Sequence, residues 1–193
     1  AAPKGHKRLP IPLGDILKVQ RLCYEKDDDI RWLIALLSDT GMRLAEGAGL
    51  AKEDVFINAE IPFVRICERP WRPLKTTSSE REVPLVGAAL WAAQRAYEQS
   101  PDEFLFPRYC SHKGCKADHA SNALNKWMRP SVLRGCVIHS FRHSFRDRLR
   151  KVECPSEVID NLGGWRPMSV GSRYGVGYPL AQKVKWMTLM LDE

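Results

Sequence analysis

No apolar run in this sequence approaches the roughly 20 residues that a membrane-spanning helix needs, so no helical span is expected. Nor does an apolar signal core follow the basic start Ala1-Ala2-Pro3-Lys4-Gly5-His6-Lys7-Arg8, which argues against export and for a cytoplasmic chain. Internal repeats and low-complexity tracts are also lacking. The six cysteines, at 23, 67, 110, 115, 136 and 154, follow no framework spacing, and without an export signal they are expected to be reduced and partly buried. Acidic residues are in deficit: 23 Asp+Glu stand against 30 Lys+Arg, a net charge of +7 that favours a polyanionic partner. With 193 residues, 44% hydrophobic and 27% charged, the chain has the make-up of an ordinary soluble domain with a proper core.

The helices announce themselves by period and by caps. Leu13, Ile16, Leu17, Leu22 and Cys23 predict a helix over 13–25. The acidic run Lys26-Asp27-Asp28-Asp29 supplies an N-cap for a second helix, Ile30 to Ser38, which is apolar nearly all round and is therefore expected at the centre of the core. Asp39-Thr40-Gly41 breaks it, and a short helix begins near Met42-Arg43. Strands are expected at Ile61 to Cys67 and Arg81 to Leu85, joined through a polar, mobile hairpin tip at 76–80. Further helices are predicted at Gly87 to Glu98, Ala120 to Met128, Ser156 to Leu162 and Leu180 to Leu191, with a polar loop at 108–118. The fold class is α+β: one mostly α-helical domain carrying a small antiparallel sheet.

The most informative stretch is His139-Ser140-Phe141-Arg142-His143-Ser144-Phe145-Arg146-Asp147-Arg148-Leu149-Arg150. Phe141, Phe145 and Leu149 recur every four residues and form the apolar stripe of a helix. His139 and Arg142, three apart, share another face and present an imidazole and a guanidinium to something anionic. Downstream, Gly163-Gly164-Trp165 leads to Arg173-Tyr174-Gly175, a tyrosine in a polar, glycine-rich segment.

Five segments stand in an order that resembles the tyrosine recombinases, the phage-integrase-type enzymes. They are Thr40-Gly41-Met42-Arg43-Leu44-Ala45-Glu46, the run Lys75 to Leu85, His139-Ser140-Phe141-Arg142-His143, Leu162-Gly163-Gly164-Trp165 and Arg173-Tyr174-Gly175. Trp165 follows His139 by 26 positions and Tyr174 follows Trp165 by nine. The resemblance spans about residues 13–191 and implies the catalytic-domain fold of that family. Residues 1–12 then read as a linker or N-terminal arm, 13–193 as the catalytic domain, and the N-terminal core-binding domain of the family is expected to be missing.

What the resemblance implies also makes chemical sense. Tyr174 is expected to be the nucleophile that holds the DNA phosphate as a covalent ester. Arg43 and Arg142 would clamp the non-bridging oxygens, where a planar, permanently charged fork does better than an ammonium. The departing 5′ oxygen is far more basic than a phenolate, so it needs an acid, and Lys75 on the hairpin tip matches the family's donor. His139 would contact the phosphate and help remove the tyrosine proton. Trp165 would donate its indole N–H or pack to hold the site, Glu46 would orient neighbouring cations, and His143 would support the site from behind. Arg173 joins Arg43, Lys75 and Arg142 among the DNA contacts.

The implied partner is double-stranded DNA at a specific recombination site, engaged by a homotetramer that is monomeric when free; no membrane, cofactor or metal is called for. In the family the last helix packs in trans, and here Leu180, Val184, Met187 and Leu191 are its expected apolar face. Tyr178, one helical turn past Tyr174, is the rival nucleophile. Cys110, Cys115, His112 and His119 fall within ten positions but fit no standard zinc spacing, so an incidental loop is the expected reading. A recombinase-like DNA-binding protein without cleavage, and a type IB topoisomerase, are the alternative functions.

Overall fold

The computed structural model describes residues 9–165 and 177–192. Helix α1 spans Leu13–Lys26 and α2 spans Asp29–Thr40. Asp28 caps α2 by accepting the Arg31 backbone N–H at 3.1 Å, as the acidic run predicts. Asp28→Ala is expected to lower stability by about 1 kcal/mol, which a thermal melt reads as a drop of about 2–4 °C.

Every residue of α2 from Trp32 to Thr40 is buried. It packs most extensively on α4 (Gly87–Gln99), then on α1 and on α6 (Ser140–Lys151). The α4 face that meets it is Ala88, Ala89, Ala92, Ala93 and Ala96, and side chains this small let the two helix axes approach closely. Polar residues at the end of α2 are buried but satisfied. Asp39 accepts the Ala88 N–H at 3.0 Å, supplying the start of α4 with a partner, and its other oxygen accepts Arg148 Nη1 at 3.0 Å. One residue thus fixes α2, α4 and α6 against each other.

The sheet is antiparallel in the order β1 (Val55–Phe56), β2 (Phe63–Ile66), β3 (Arg81–Pro84). Val64 faces Val83 and Ile66 faces Arg81 across β2 and β3, on the inner side; Arg65 and Glu82 pair on the exposed side. The two-residue β1 lies outside the expected strands, being too short to show alternation. The expected hairpin tip carries a 3-10 turn, Thr77–Ser79, whose last residue is buried. Residues 108–118, expected as loop, contain the small hairpin β4 (Cys110–Ser111) and β5 (Gly114–Cys115), followed by α5 (Ala117–Met128).

Helix α7 runs Ser156–Gly163 and α8 runs Leu180–Leu191. Of the expected face Leu180, Val184, Met187 and Leu191, Met187 is buried and Val184 and Leu191 are partly buried against the core, but Lys183 and Met190 are buried in addition. The difference arises because α8 packs on β3 and α6 of its own chain, where Lys183 Nζ donates to the Glu82 carbonyl at 2.7 Å. Ile11 is buried too: its N–H donates to Ser144 Oγ at 2.7 Å, and that hydroxyl donates to the Ile11 carbonyl at 3.0 Å. Among the described residues, no helix is long and apolar enough to cross a membrane.

Candidate active site

The site is built where α2 gives way to the five-residue helix α3 (Leu44–Ala48). Gly41 ends α2 in the left-handed region, at φ 63 and ψ 15. Its Cα lies against Phe145, so closely that a Cβ would fall 2.5 Å from the ring. The chain then runs extended through Arg43 into α3, and Glu46 turns back to accept the Arg43 backbone N–H at 2.9 Å. The same carboxylate accepts Arg43 Nη1 at 2.9 Å, Arg81 Nη1 at 3.2 Å and Arg81 Nη2 at 2.9 Å. Burial opposes the ionisation of Glu46. The Arg81 charge and hydrogen bonds, with the Arg43 N–H and charge, outweigh it and hold the carboxyl at about 2.

Arg81 reaches this carboxylate because strand alternation puts it in phase with Val83 on the inner face of β3. Its side chain is fully buried. Besides Glu46, it donates from Nε to the Leu162 carbonyl at 2.8 Å and from Nη1 to the Ser79 carbonyl at 2.7 Å. Arg81 therefore joins α3, the loop before β3 and the end of α7. Gly164 must be small at this point: its φ is +65, and a Cβ would sit 2.6 Å from Arg81 Nη1.

Arg43 and Arg142 converge on the turn after α7. Arg142 is buried, and donates from Nη1 to the Gly41 carbonyl at 2.7 Å and from Nη2 to the Gly163 carbonyl at 3.0 Å. Arg43 Nη2 lies 3.5 Å from the next carbonyl, that of Gly164, while its Nη1 also donates to Ser79 Oγ at 3.1 Å. The Trp165 indole follows at once, with Arg142 Cζ 4.6 Å and Arg146 Cζ 4.1 Å from its ring centroid. Burial, and then the charges of Arg43, Arg81 and Arg146, pull the Arg142 guanidinium down to about 9 against the counter-effect of Glu46. Four guanidiniums are thus gathered around two carboxylates, Glu46 and Asp160, the latter accepting Arg146 Nη2 at 3.3 Å. Surplus positive charge shielded from water attracts an added anion more strongly than it would in bulk solvent.

The remaining predicted residues lie around this cluster or beyond the described chain. Lys75 is exposed on the loop between β2 and β3, whose far end is tied down through Ser79 to Arg43 and Arg81. His139 is half-buried at the start of α6, its ring 5.7 Å from that of the exposed His143. His139 and Arg142 are less alike than a shared helical face suggests, because Arg142 turns inward to the two carbonyls. Tyr174 and Arg173 lie outside the described residues. Tyr178 donates its hydroxyl to Glu157 Oε2 at 2.6 Å; that hydrogen bond to a carboxylate raises its pKa above the ordinary phenol value and disfavours the phenolate.

Two members of the cluster were not anticipated from sequence. Arg81 was signalled by its alternation with Val83 and Leu85, and Arg146 by its position one helical turn after Arg142. The expectation of reduced cysteines is corrected at one pair: Cys110 and Cys115 face each other across β4 and β5 and form a disulfide. Direct pairing across the adjacent strands sets their Cα atoms 4.2 Å apart, which a sequence spacing of five does not disclose. A disulfide leaves neither sulfur as a thiolate for a metal. Among the described residues, no group of three His, Cys, Asp or Glu side chains has metal-holding geometry.

With this geometry in hand, comparison with known proteins places the chain. A family model described as "Phage integrase family" matches residues 18–176. No curated protein sequence matches. Among solved structures, the chain is similar to the Tn1549 transposon integrase in complex with circular-intermediate DNA, with a TM-score of 0.64 and 17% identity over 96% of this chain and 68% of that one. It is also similar to XerA recombinase, with a TM-score of 0.65 and 13% identity over 96% of this chain and 65% of that one. The XerH site-specific recombinase, bound to a palindromic difH substrate after cleavage, gives 0.59 and 16% over 90% and 51%. At such identities the likeness is one of fold. The chain belongs to the phage integrase family, the tyrosine recombinases, and its fold is that of their catalytic domain.

Proposed function

We propose that this chain carries out site-specific DNA recombination, cleaving and rejoining strands through a 3′-phosphotyrosyl intermediate. The observation that carries this reading is the convergence of Arg43 and Arg142 on the adjacent carbonyls of Gly163 and Gly164, with Arg81 and Glu46 bracing them from behind. Such a pair of fixed forks suits the equatorial oxygens of a phosphorane-like transition state, where preorganised charge is commonly the largest catalytic contribution. Double-stranded DNA is the substrate, and a tetramer holding two duplexes is the assembly in which strands exchange.

In the proposed reaction the Tyr174 hydroxyl oxygen attacks the scissile phosphorus as its proton leaves towards His139. The phosphorus–O5′ bond breaks, and the O5′ oxygen takes a proton from Lys75, so a 5′ hydroxyl and a 3′-phosphotyrosine result. Attack on this ester by a 5′ hydroxyl from another strand reverses the same steps, and no nucleotide is consumed because the ester retains the energy of the broken bond. Trp165 holds the Arg142 guanidinium at the phosphate. Tyr178 is the poorer nucleophile, since Glu157 occupies its hydroxyl.

The test uses a pool of nicked duplexes with randomised arms, from which adducts surviving denaturing detergent are isolated, sequenced and mapped by mass spectrometry. The nick lets the leaving fragment diffuse away, so the intermediate accumulates. The expected result is an adduct on Tyr174 that Tyr174→Phe abolishes, enriched in one sequence. Adducts without sequence preference would instead indicate a type IB topoisomerase. DNA binding with no adduct, or an adduct that survives Tyr174→Phe, would overturn the assignment.

A further inference from the structure

Arg146 has no place in the mechanism above, yet it makes the nearer of the two guanidinium contacts to Trp165. Its Cζ lies 4.1 Å from the indole centroid, against 4.6 Å for Arg142. The two arginines are four apart on α6 and so rise from one helical face. Arg146 is held from its other side: Nη2 donates to Asp160 Oδ1 at 3.3 Å. Asp160 also governs the indole through the backbone, because the Trp165 N–H donates to the Asp160 carbonyl at 2.9 Å. Gly163 leaves room for the ring, as a Cβ there would overlap the six-membered part of the indole.

We infer that Arg146 is a positioning residue, which with Asp160 fixes the Trp165 indole against Arg142 and so sets where that guanidinium meets the phosphate. The inference rests on the recombinase reading. Its physical basis is the attraction of a cation to the face of an indole, strongest among the aromatic side chains and stronger still when water is excluded. Arg146 stands next to the ring and acts on the reacting phosphate only through it. An arginine suits this role better than a lysine, since a guanidinium plane stacks on the ring while also donating in its plane to Asp160.

Two measurements test it. In the first, the six indole N–H resonances are followed by NMR on the intact chain, with that of Trp165 assigned by its loss in Trp165→Phe. Arg146→Ala is expected to move the Trp165 resonance and leave the other five in place; Arg146→Lys is expected to restore it in part. An unmoved resonance would overturn the inference without any reference to catalysis. In the second, single-turnover cleavage of the selected nicked duplex is measured alongside the dissociation constant for the same DNA.

Arg146→Ala is expected to slow cleavage roughly tenfold to a hundredfold, the scale of a small misplacement, with DNA affinity little changed. In a Trp165→Phe background the same substitution is expected to have almost no further effect. Additive losses in the double variant, or a loss confined to affinity, would instead make Arg146 an independent DNA contact and overturn the inference. A wild-type chain that forms no adduct would overturn the recombinase reading itself, and this inference with it. Wild-type cleavage with Arg146→Ala unimpaired would overturn this inference alone.

Discussion

Glu46→Gln is expected to lower the stability of the domain by about 3–5 kcal/mol, the scale of breaking one member out of a buried ion pair. A thermal melt should therefore shift by about 6–20 °C. The reason is Arg81, whose fully buried guanidinium keeps its bonds to the Leu162 and Ser79 carbonyls but loses the one carboxylate that pairs with it among the described residues. A glutamine of the same shape offers one oxygen where two accepted, and its NH2 group points a donor at a donor. Arg43 loses its anchor in the same step, so cleavage is expected to fall as well, even at temperatures where the variant is folded.

The pH dependence gives a second reading of the same carboxylate. In the folded chain Glu46 titrates at about 2, below its ordinary value of 4.5. Its contribution is therefore fully present above about pH 4.5 and is lost as pH falls through the folded value, a change on the order of 3 kcal/mol. Acid unfolding of the wild-type chain should steepen across that window, and Glu46→Gln should lack this component. A variant that melts within about 2 °C of wild type and unfolds in acid along the same curve would show that Glu46 does not carry the cluster.

Arg142→Lys is expected to slow cleavage of the selected duplex by roughly a hundredfold to a thousandfold, comparable to losing a preorganised donor at a reacting oxygen. Arg43, Arg81 and Arg146 keep their charges around the site, so DNA affinity should change far less than the rate. What disappears is geometry. An ammonium cannot hold the Gly41 and Gly163 carbonyls from two separate nitrogens and still aim a planar pair of donors at phosphate. A rate within about threefold of wild type would mean that point charge alone suffices at this position.

Much of this fold can be read from local pattern, because its long elements are governed by local rules. The α2 cap at Asp28, the Phe141–Phe145–Leu149 stripe of α6 and the β2–β3 pairing all follow from period and end chemistry. Patterns that depend on a partner read less well. The face of α8 follows from what β3 and α6 offer it, and an apolar count alone misses Lys183, whose ammonium ends on a backbone carbonyl. The Cys110–Cys115 disulfide depends on a four-residue ladder too short to have a period.

The candidate site divides along the same line. Arg43, Lys75, His139, Arg142 and Trp165 were recognisable as motif residues, since each stands in a segment of characteristic order. Arg81 and Arg146 were not, although they complete the charge cluster. A charged residue in a strand or helix ordinarily reads as solvent-facing; acceptors from elsewhere in the chain, Glu46 with the Leu162 and Ser79 carbonyls, satisfy the buried Arg81, and Asp160 holds the partly buried Arg146.

The two bonds from Arg142 to the Gly41 and Gly163 carbonyls bear on binding as well as on shape. An arginine side chain free in solution has many rotamers, and ordering one at the moment a ligand arrives subtracts from affinity and from rate. Here that ordering is completed when the domain folds, before any phosphate arrives. Two of the five N–H groups are already occupied, and the three that remain point from a frame that no longer needs to search. The loss of conformational entropy is thereby moved out of the proposed encounter with DNA and into the folding of the chain.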